Sequence, residues 1–304
     1  MPQKIILDVD TGGDDAVAIL LAGHHPNQNL KAVTVCHGNG TLEVCLDNTR
    51  RVLEAGGLQK VPVYAGAYHP LIADPIDSHP IQKSTLPLPE PTMPQKRQHA
   101  VDFLVEYYMG PRGPETIYAP LAPHTNLALA LRLEPRLVER IPRIVTMGGA
   151  YIEGNTTPSA EFNILADPEA AYIVFNAGIP ITMVGLEVTS LALVTLEDVE
   201  EINRLGTPQA GIAARIMHNE VRWFMDNLGM PGGQIYDACA VAAVADPGIL
   251  TTSPMHVDIE LHGSLTRGRT VADISSHHPN KPNVDVGVHI DRARFLELLI
   301  EGLS

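Results

Sequence analysis

Short β-branched runs alternate with segments of helical periodicity along most of the chain. Apolar runs at 4–10, 30–37, 61–66, 116–121, 143–147 and 181–186 end in turn residues and predict strands. Later runs at 257–261, 270–274 and 284–290 predict three more. Helical patterns lie over 14–23, 42–55, 98–108, 127–131, 168–177, 196–204, 208–227, 238–245 and 292–301. Strand-then-helix alternation predicts one α/β domain over 1–304, a Rossmann-like open sheet, mostly parallel, with helices on both faces. Residues 68–95 break the rhythm. Seven prolines from Pro70 to Pro94 remove donors and disfavour helix, so this stretch predicts a long irregular loop. Such a loop is either a flap over a site or a solvated connector.

Composition narrows the class. Of 304 residues, 45% are hydrophobic, enough for one large α/β core or two ordinary ones. The net charge of −14 argues against a binder of nucleic-acid phosphates. No run approaches 18 uninterrupted apolar residues, so no membrane span is expected. Cys36, Cys45 and Cys239 form no CxxC pair and read as reduced thiols. With no charged leader before Ile5, the expectation is a cytoplasmic protein.

The chemistry concentrates at "KIILDVDTGGDDAVAIL", where an apolar run ends in Asp8, Asp10, Asp14 and Asp15 around two glycines. Two unit charges about 4 Å apart interact by roughly 1 kcal/mol in water and about 4 at an effective dielectric of 20. A bound cation is the simplest compensation. Helix capping accounts for Asp14 or Asp15 and leaves Asp10 unexplained. Ligands in open α/β sheets bind beyond the carboxyl ends of strands, and other polar signals fall at such ends. They are Asn39 in "CHGN", Thr125 and Asn126 in "PHTNLALA", "TMGGA", Glu161 and Asn163 in "AEFN", and Asp237 in "IYDACA". Each alone also fits a cap or turn. The hard oxygens, with no Cys or His at ligand spacing, favour Ca²⁺ or Mg²⁺ over zinc.

These residues resemble the nucleoside hydrolases of the inosine–uridine preferring type. "DVDTGGDDA", "HGN", "TNLALA", "MGGA", "AEFNILADPEAA", "YDACAVAAVADP" and "GRTVAD" follow that family's order across 5–273. The resemblance implies hydrolysis of the N-glycosidic bond of ribonucleosides to ribose and free base. It implies Ca²⁺ held by Asp10, Asp15, Asp237 and the Thr125 carbonyl, with Asp10 as general base. Asp14 and Asn39 would serve the 2′-hydroxyl side, Glu161 and Asn163 the 5′- and 3′-hydroxyls, and Met147 would line the pocket. A homodimer or homotetramer is implied as well.

The pattern breaks at the leaving group. Many relatives place a histidine before the last metal aspartate; here it is Tyr236, a poorer acid with a reference pKa near 10. Where relatives carry an "HG…GLG"-type stretch, this chain has "DSHPIQKSTLP", with His79 as the candidate equivalent. Trp223 is a candidate stacking residue for the base, with core packing as its alternative. Two rival functions differ in kind. A haloacid-dehalogenase-like phosphatase also begins with a strand and Asp-x-Asp, but expects a small hydroxyl residue where Gly12 stands. A non-catalytic nucleoside or ribose binder would keep the pocket without turnover.

Overall fold

The computed structural model describes residues 1–76, 85–277 and 279–304. Its strands are β1 (Gln3–Val9), β2 (Gln28–Val35), β3 (Val63–Ala65), β4 (Thr116–Pro120), β5 (Ile144–Met147), β6 (Ile181–Val184), β7 (Leu250–Met255), β8 (Val257–Ile259), β9 (Thr270–Ala272) and β10 (Val284–Ile290). The helices are α1 (Gly13–His24), α2 (Leu42–Ala55), α3 (Ala100–Met109), α4 (Thr125–Leu133), α5 (Phe162–Ala166), α6 (Pro168–Phe175), α7 (Leu186–Thr189), α8 (Leu196–Asn203), α9 (Pro208–Leu228), α10 (Tyr236–Ala245) and α11 (Arg292–Leu303). Among these, none is long and apolar enough to cross a membrane.

Eight strands form one sheet in the order β3-β2-β1-β4-β5-β6-β10-β7. All its neighbours pair in parallel except β10 with β7. β1 lies third from one edge and is buried on both faces. Ile5, Leu7 and Val9 join one core layer and Ile6 the other. Alternate pointing of side chains along a strand produces that division, and each buried aliphatic contributes about 1.5–3 kcal/mol. Successive strands run outward on one side of β1 as far as β3 and then resume on the other at β4. The direction of winding reverses between β1 and β4, and the crevice beyond their carboxyl ends is where such sheets bind ligands.

Two expectations need correction. The segments at 257–261 and 270–274 form strands, but β8 and β9 pair as a separate antiparallel ribbon off the main sheet. β7 escapes sequence reading because "LTTSPM" is polar and carries Pro254; only an edge strand, partnered on one side, tolerates that residue. The short helices α5 and α7 are too brief for periodicity to reveal.

The Pro-rich loop is anchored at both of its described ends. Leu71 N–H donates to Asp167 at 3.0 Å, and Leu86 N–H to Asn48 of α2 at 2.8 Å. Arg50 and Arg51 of α2 donate to the carbonyls of Met93 and Leu88, whose side chains are buried. His79 falls outside the described residues.

Candidate active site

The site starts where β1 stops. Asp10 follows the strand by one residue, Gly12 caps α1, and Asp14 and Asp15 fill the first turn of that helix. Asp15 does perform the expected helix-start duty, taking the Gly12 N–H at 2.9 Å. α2 braces the turn from behind. Asn48 donates to the Thr11 carbonyl at 3.0 Å, and the Thr11 and Thr49 hydroxyls meet at 2.7 Å. Asp8 belongs to a different network. Its carboxylate accepts from Thr34 of β2 at 2.6 Å and from Asn126 of α4 at 2.8 Å, so it locks three elements together.

Asn39, carried beyond the end of β2, ties Asp10 to Asp15. Its backbone N–H donates to Asp10 Oδ2 at 2.6 Å and its side-chain amide to Asp15 Oδ2 at 3.3 Å. Asp237, second residue of α10, approaches from the far side. Carboxylate oxygens of Asp14, Asp15 and Asp237 lie within 4.8 Å of one another. The sequence reading placed Asp10 in that trio and Asp14 on the sugar. The geometric trio contains Asp14, and Asp10 joins it through Asn39 and Asp15.

Two close approaches make the arrangement depend on glycine. A Cβ at Gly38 would stand 2.0 Å from Asp10 Oδ2, and one at Gly13 would stand 2.0 Å from Glu220 Oε1 on α9. Gly38→Ala should therefore displace the Asp10 carboxylate. We expect kcat to fall by about 10²-fold, the scale of a 1 Å misplacement. A wild-type kcat in the variant would rule out this role for the glycine.

Burial sets the electrostatics. It pushes the carboxyl of Asp10 well above the ordinary range, with the Asp15 charge adding to the effect. Burial raises Asp14 to about 6, and burial with the Asp14 charge beside it raises Asp15 to about 8. Asp237 and Glu220 are likewise pushed well up, by burial first and then by Asp14 and Asp15. Asp10 Oδ1 and Asp15 Oδ1 are buried without a hydrogen-bond partner among the described residues. An ionised carboxylate left in that state costs several kcal/mol, so the cluster needs a counter-charge. Nearby soft ligands do not compete. Burial holds the Cys36 and Cys45 thiols well above their usual range. The His37 ring, kept neutral by burial that lowers its pKa to about 4, is engaged instead through Nε2 with the Thr125 hydroxyl at 3.1 Å.

The remaining predicted residues gather around a cavity of about 460 Å³, within the usual range for small-molecule sites. Asp14, Asn39, Met147, Glu161, Asn163, Trp223, Tyr236 and Asp237 all line it. Glu161 is held rigidly, accepting the N–H groups of Asn163 at 2.8 Å, Gly149 at 2.9 Å and Ile164 at 3.2 Å. Asn163 donates to the carbonyls of Leu121 and Met147. Thr125 opens α4, and its hydroxyl donates to Asp167 at 2.7 Å. Trp223 shares an aromatic wall with Phe224 and Tyr236, with ring centroids at 5.3 and 6.1 Å along the series. The Tyr236 phenol is pushed further up by burial and by Asp14, and bonds to Asn155.

Sequence reasoning missed Asn155, Phe162, Glu220 and Phe224, all of which line the cavity. Asn155 and Phe162 sit in or beside "EGNTTPSAEFN", close enough to the flagged "AEFN" to have been found. Glu220 carried no signal, because an acidic residue in a helix ordinarily faces solvent; here it is 2% exposed.

Comparison with known proteins bears on this site. The family model described as inosine-uridine preferring nucleoside hydrolase matches residues 5–297. An inosine-uridine preferring nucleoside hydrolase of Crithidia fasciculata is 41% identical over 310 residues, covering 100% of this chain and 98% of that protein. A pyrimidine-specific ribonucleoside hydrolase, RihA, of Escherichia coli O7:K1 is 40% identical, covering 100% and 99%. Among solved structures, a purine-preferring ribonucleoside hydrolase from Gardnerella vaginalis superposes with a TM-score of 0.91 at 32% identity, covering 99% and 98%.

Proposed function

This chain belongs to the inosine–uridine preferring nucleoside hydrolase family and hydrolyses the N-glycosidic bond of ribonucleosides, and on that premise we propose that it does so with Ca²⁺ held by Asp10, Asp15, Asp237 and the Thr125 carbonyl. What supports the metal is the buried trio of Asp14, Asp15 and Asp237 carboxylates within 4.8 Å, with the unpartnered oxygens of Asp10 and Asp15 as the observation that brings Asp10 into the ligand set. All the donors are hard oxygens, which suits Ca²⁺. When bound, the ion lowers the pKa of water in its shell and offsets the mutual repulsion of the aspartates.

The chain's own groups divide the remaining work. Asp10, fixed by the Asn39 N–H, takes the proton of the attacking water. Glu161 and Asn163, fixed by backbone and carbonyl bonds, hold ribose hydroxyls, and Asp14 with Asn39 faces the 2′ side. Carboxylates surrounding the sugar favour the positive charge that grows at C1′ as the bond to the base stretches. Tyr236 and Trp223 border the base end. Tyr236 donates a hydrogen bond there rather than a proton, and no step is assigned to His79.

The three relatives differ by name in base preference, so the base is the variable half of the substrate. A cytoplasmic location belongs to this proposal, supported by three free buried cysteines. So does a homodimeric or homotetrameric assembly, which sedimentation equilibrium reads. The test is ribose release from a nucleoside panel before and after chelation. We expect at least a tenfold loss with chelator and recovery on adding Ca²⁺. Undiminished turnover after exhaustive chelation would remove the metal from the proposal. Phosphate release from monophosphates without ribose release would favour the phosphatase alternative.

A further inference from the structure

Asp167, in the second half of "AEFNILADPEAA", does not line the cavity, but it is fully buried and joins three parts of the chain. Its Oδ1 accepts the Ala170 N–H at 3.1 Å and so caps α6. Its Oδ2 has a different task. That oxygen accepts the Thr125 hydroxyl at 2.7 Å and the Leu71 N–H of the Pro-rich loop at 3.0 Å. A threonine hydroxyl has one proton to give, and Thr125 gives it to Asp167. His37, whose Nε2 lies 3.1 Å from the same hydroxyl oxygen, is therefore its donor. The Thr125 side chain is held from two sides.

The next residue is held as firmly. Asn126 Oδ1 accepts the Ala67 N–H at 2.9 Å, and its amide donates to Asp8 at 2.8 Å and to the Val35 carbonyl at 3.3 Å. A Cβ at Gly66 would stand 2.1 Å from Asn126 Oδ1, so only glycine lets the loop root lie against this amide. The peptide group between Thr125 and Asn126 carries the carbonyl proposed for Ca²⁺. Both side chains flanking it are buried and pinned. Each pin has its other end on the chain leading into the Pro-rich loop, at Leu71 through Asp167 and at Ala67 through Asn126.

Resting on the metal set given above, we propose that Asp167 is a positioning residue which, together with Asn126, fixes the Thr125 carbonyl for Ca²⁺ and couples cation binding to the seating of residues 67–71. Turning that peptide out of line strains both clamps on the loop root, and releasing the loop root frees the peptide. Groups that orient metal ligands from one layer out typically change affinity by 10–100-fold when removed. The coupling is reciprocal: whatever factor the seated root adds to cation affinity, the cation adds to the stability of the root.

Calorimetric titration of the metal-free full chain with Ca²⁺, and amide hydrogen exchange over residues 67–71, test the two halves. Asp167→Asn keeps an oxygen for the α6 cap but turns its amide toward the two other donors. Thr125→Val keeps the carbonyl and removes the hydroxyl. Each should weaken Ca²⁺ binding by about tenfold or more. The double variant should bind no more weakly than the worse single, since both cut one link. In the wild type, saturating Ca²⁺ should slow exchange of the Leu71 amide by about tenfold, and Asp167→Asn should abolish the slowing. Unchanged affinity in both variants, each folded by circular dichroism, would overturn the positioning role. A Leu71 amide indifferent to Ca²⁺ in the wild type would overturn the coupling, whatever the variants do. A wild type that binds no Ca²⁺ at all would overturn the metal reading itself, and this inference with it.

Discussion

Asp10→Asn should lower kcat by about 10³–10⁴-fold with a much smaller change in KM, since it removes the group proposed above to accept the water's proton and nothing proposed to grip the base. Asparagine keeps an oxygen able to accept the Asn39 N–H, so the loop geometry survives. The stability effect should run the other way. Asp10 is buried, crowded by Asp15 and Asp14, and has one carboxylate oxygen with no partner. Neutralising it relieves repulsion in the metal-free protein, so the melting temperature in chelator should equal or exceed that of the wild type. Ribose-release kinetics and calorimetry on one preparation check both halves. A kcat within tenfold of wild type would mean that the proton goes elsewhere.

The second large effect is on the pH dependence of stability without metal. Asp14 and Asp15 have folded-state values of about 6 and about 8, above the roughly 3.9 of an unfolded aspartate. Between those limits the folded chain binds more protons than the unfolded one, so stability falls as pH rises. The contribution is fully present below about pH 4 and is gone by about pH 8. In chelator the melting temperature should therefore drop by on the order of 5 °C or more from pH 5 to pH 8, at about 2–4 °C per kcal/mol. Added Ca²⁺ favours the ionised carboxylates, so its stabilising shift should be larger at pH 8 than at pH 5. A metal-free melting temperature that climbs over this range would show that the cluster does not govern it.

Both effects arise from one structural fact, that the fold buries more carboxyl groups than it neutralises. Function and stability pull against each other here. Asp8 is buried too, with one oxygen unpartnered among the described residues, but its other oxygen accepts from Thr34 and Asn126 and ties strands and helix together. Two positions separate it from Asp10 along the strand, yet their tasks differ completely. Strand geometry accounts for the difference: Asp8 lies within the paired region of β1, and Asp10 lies just past it.

Much of the site was readable because its parts are local. Asp10, Asp14 and Asp15 fall within six positions at a strand-to-helix turn, where a chain has no ordinary use for three carboxylates. Asp237 and Glu161 were readable only as members of motifs, each beginning a helix. The strands of the parallel sheet were legible for a related reason: burial on both faces demands continuous apolar runs. The edge strand β7 has no such demand and left no signal.

Hydrophobic periodicity and the spacing of the acidic residues thus determined the α/β class, the position of the cluster at a strand end and the hard-oxygen chemistry. Those properties depend on neighbours close along the chain, whose relative placement backbone geometry dictates. Tertiary structure alone decided that α9 would lay Glu220 against Gly13 and that Asn39 would couple Asp10 to Asp15. These contacts join residues from 24 to more than 200 positions apart, and no local preference encodes which of many acidic or aromatic side chains the packing will turn inward.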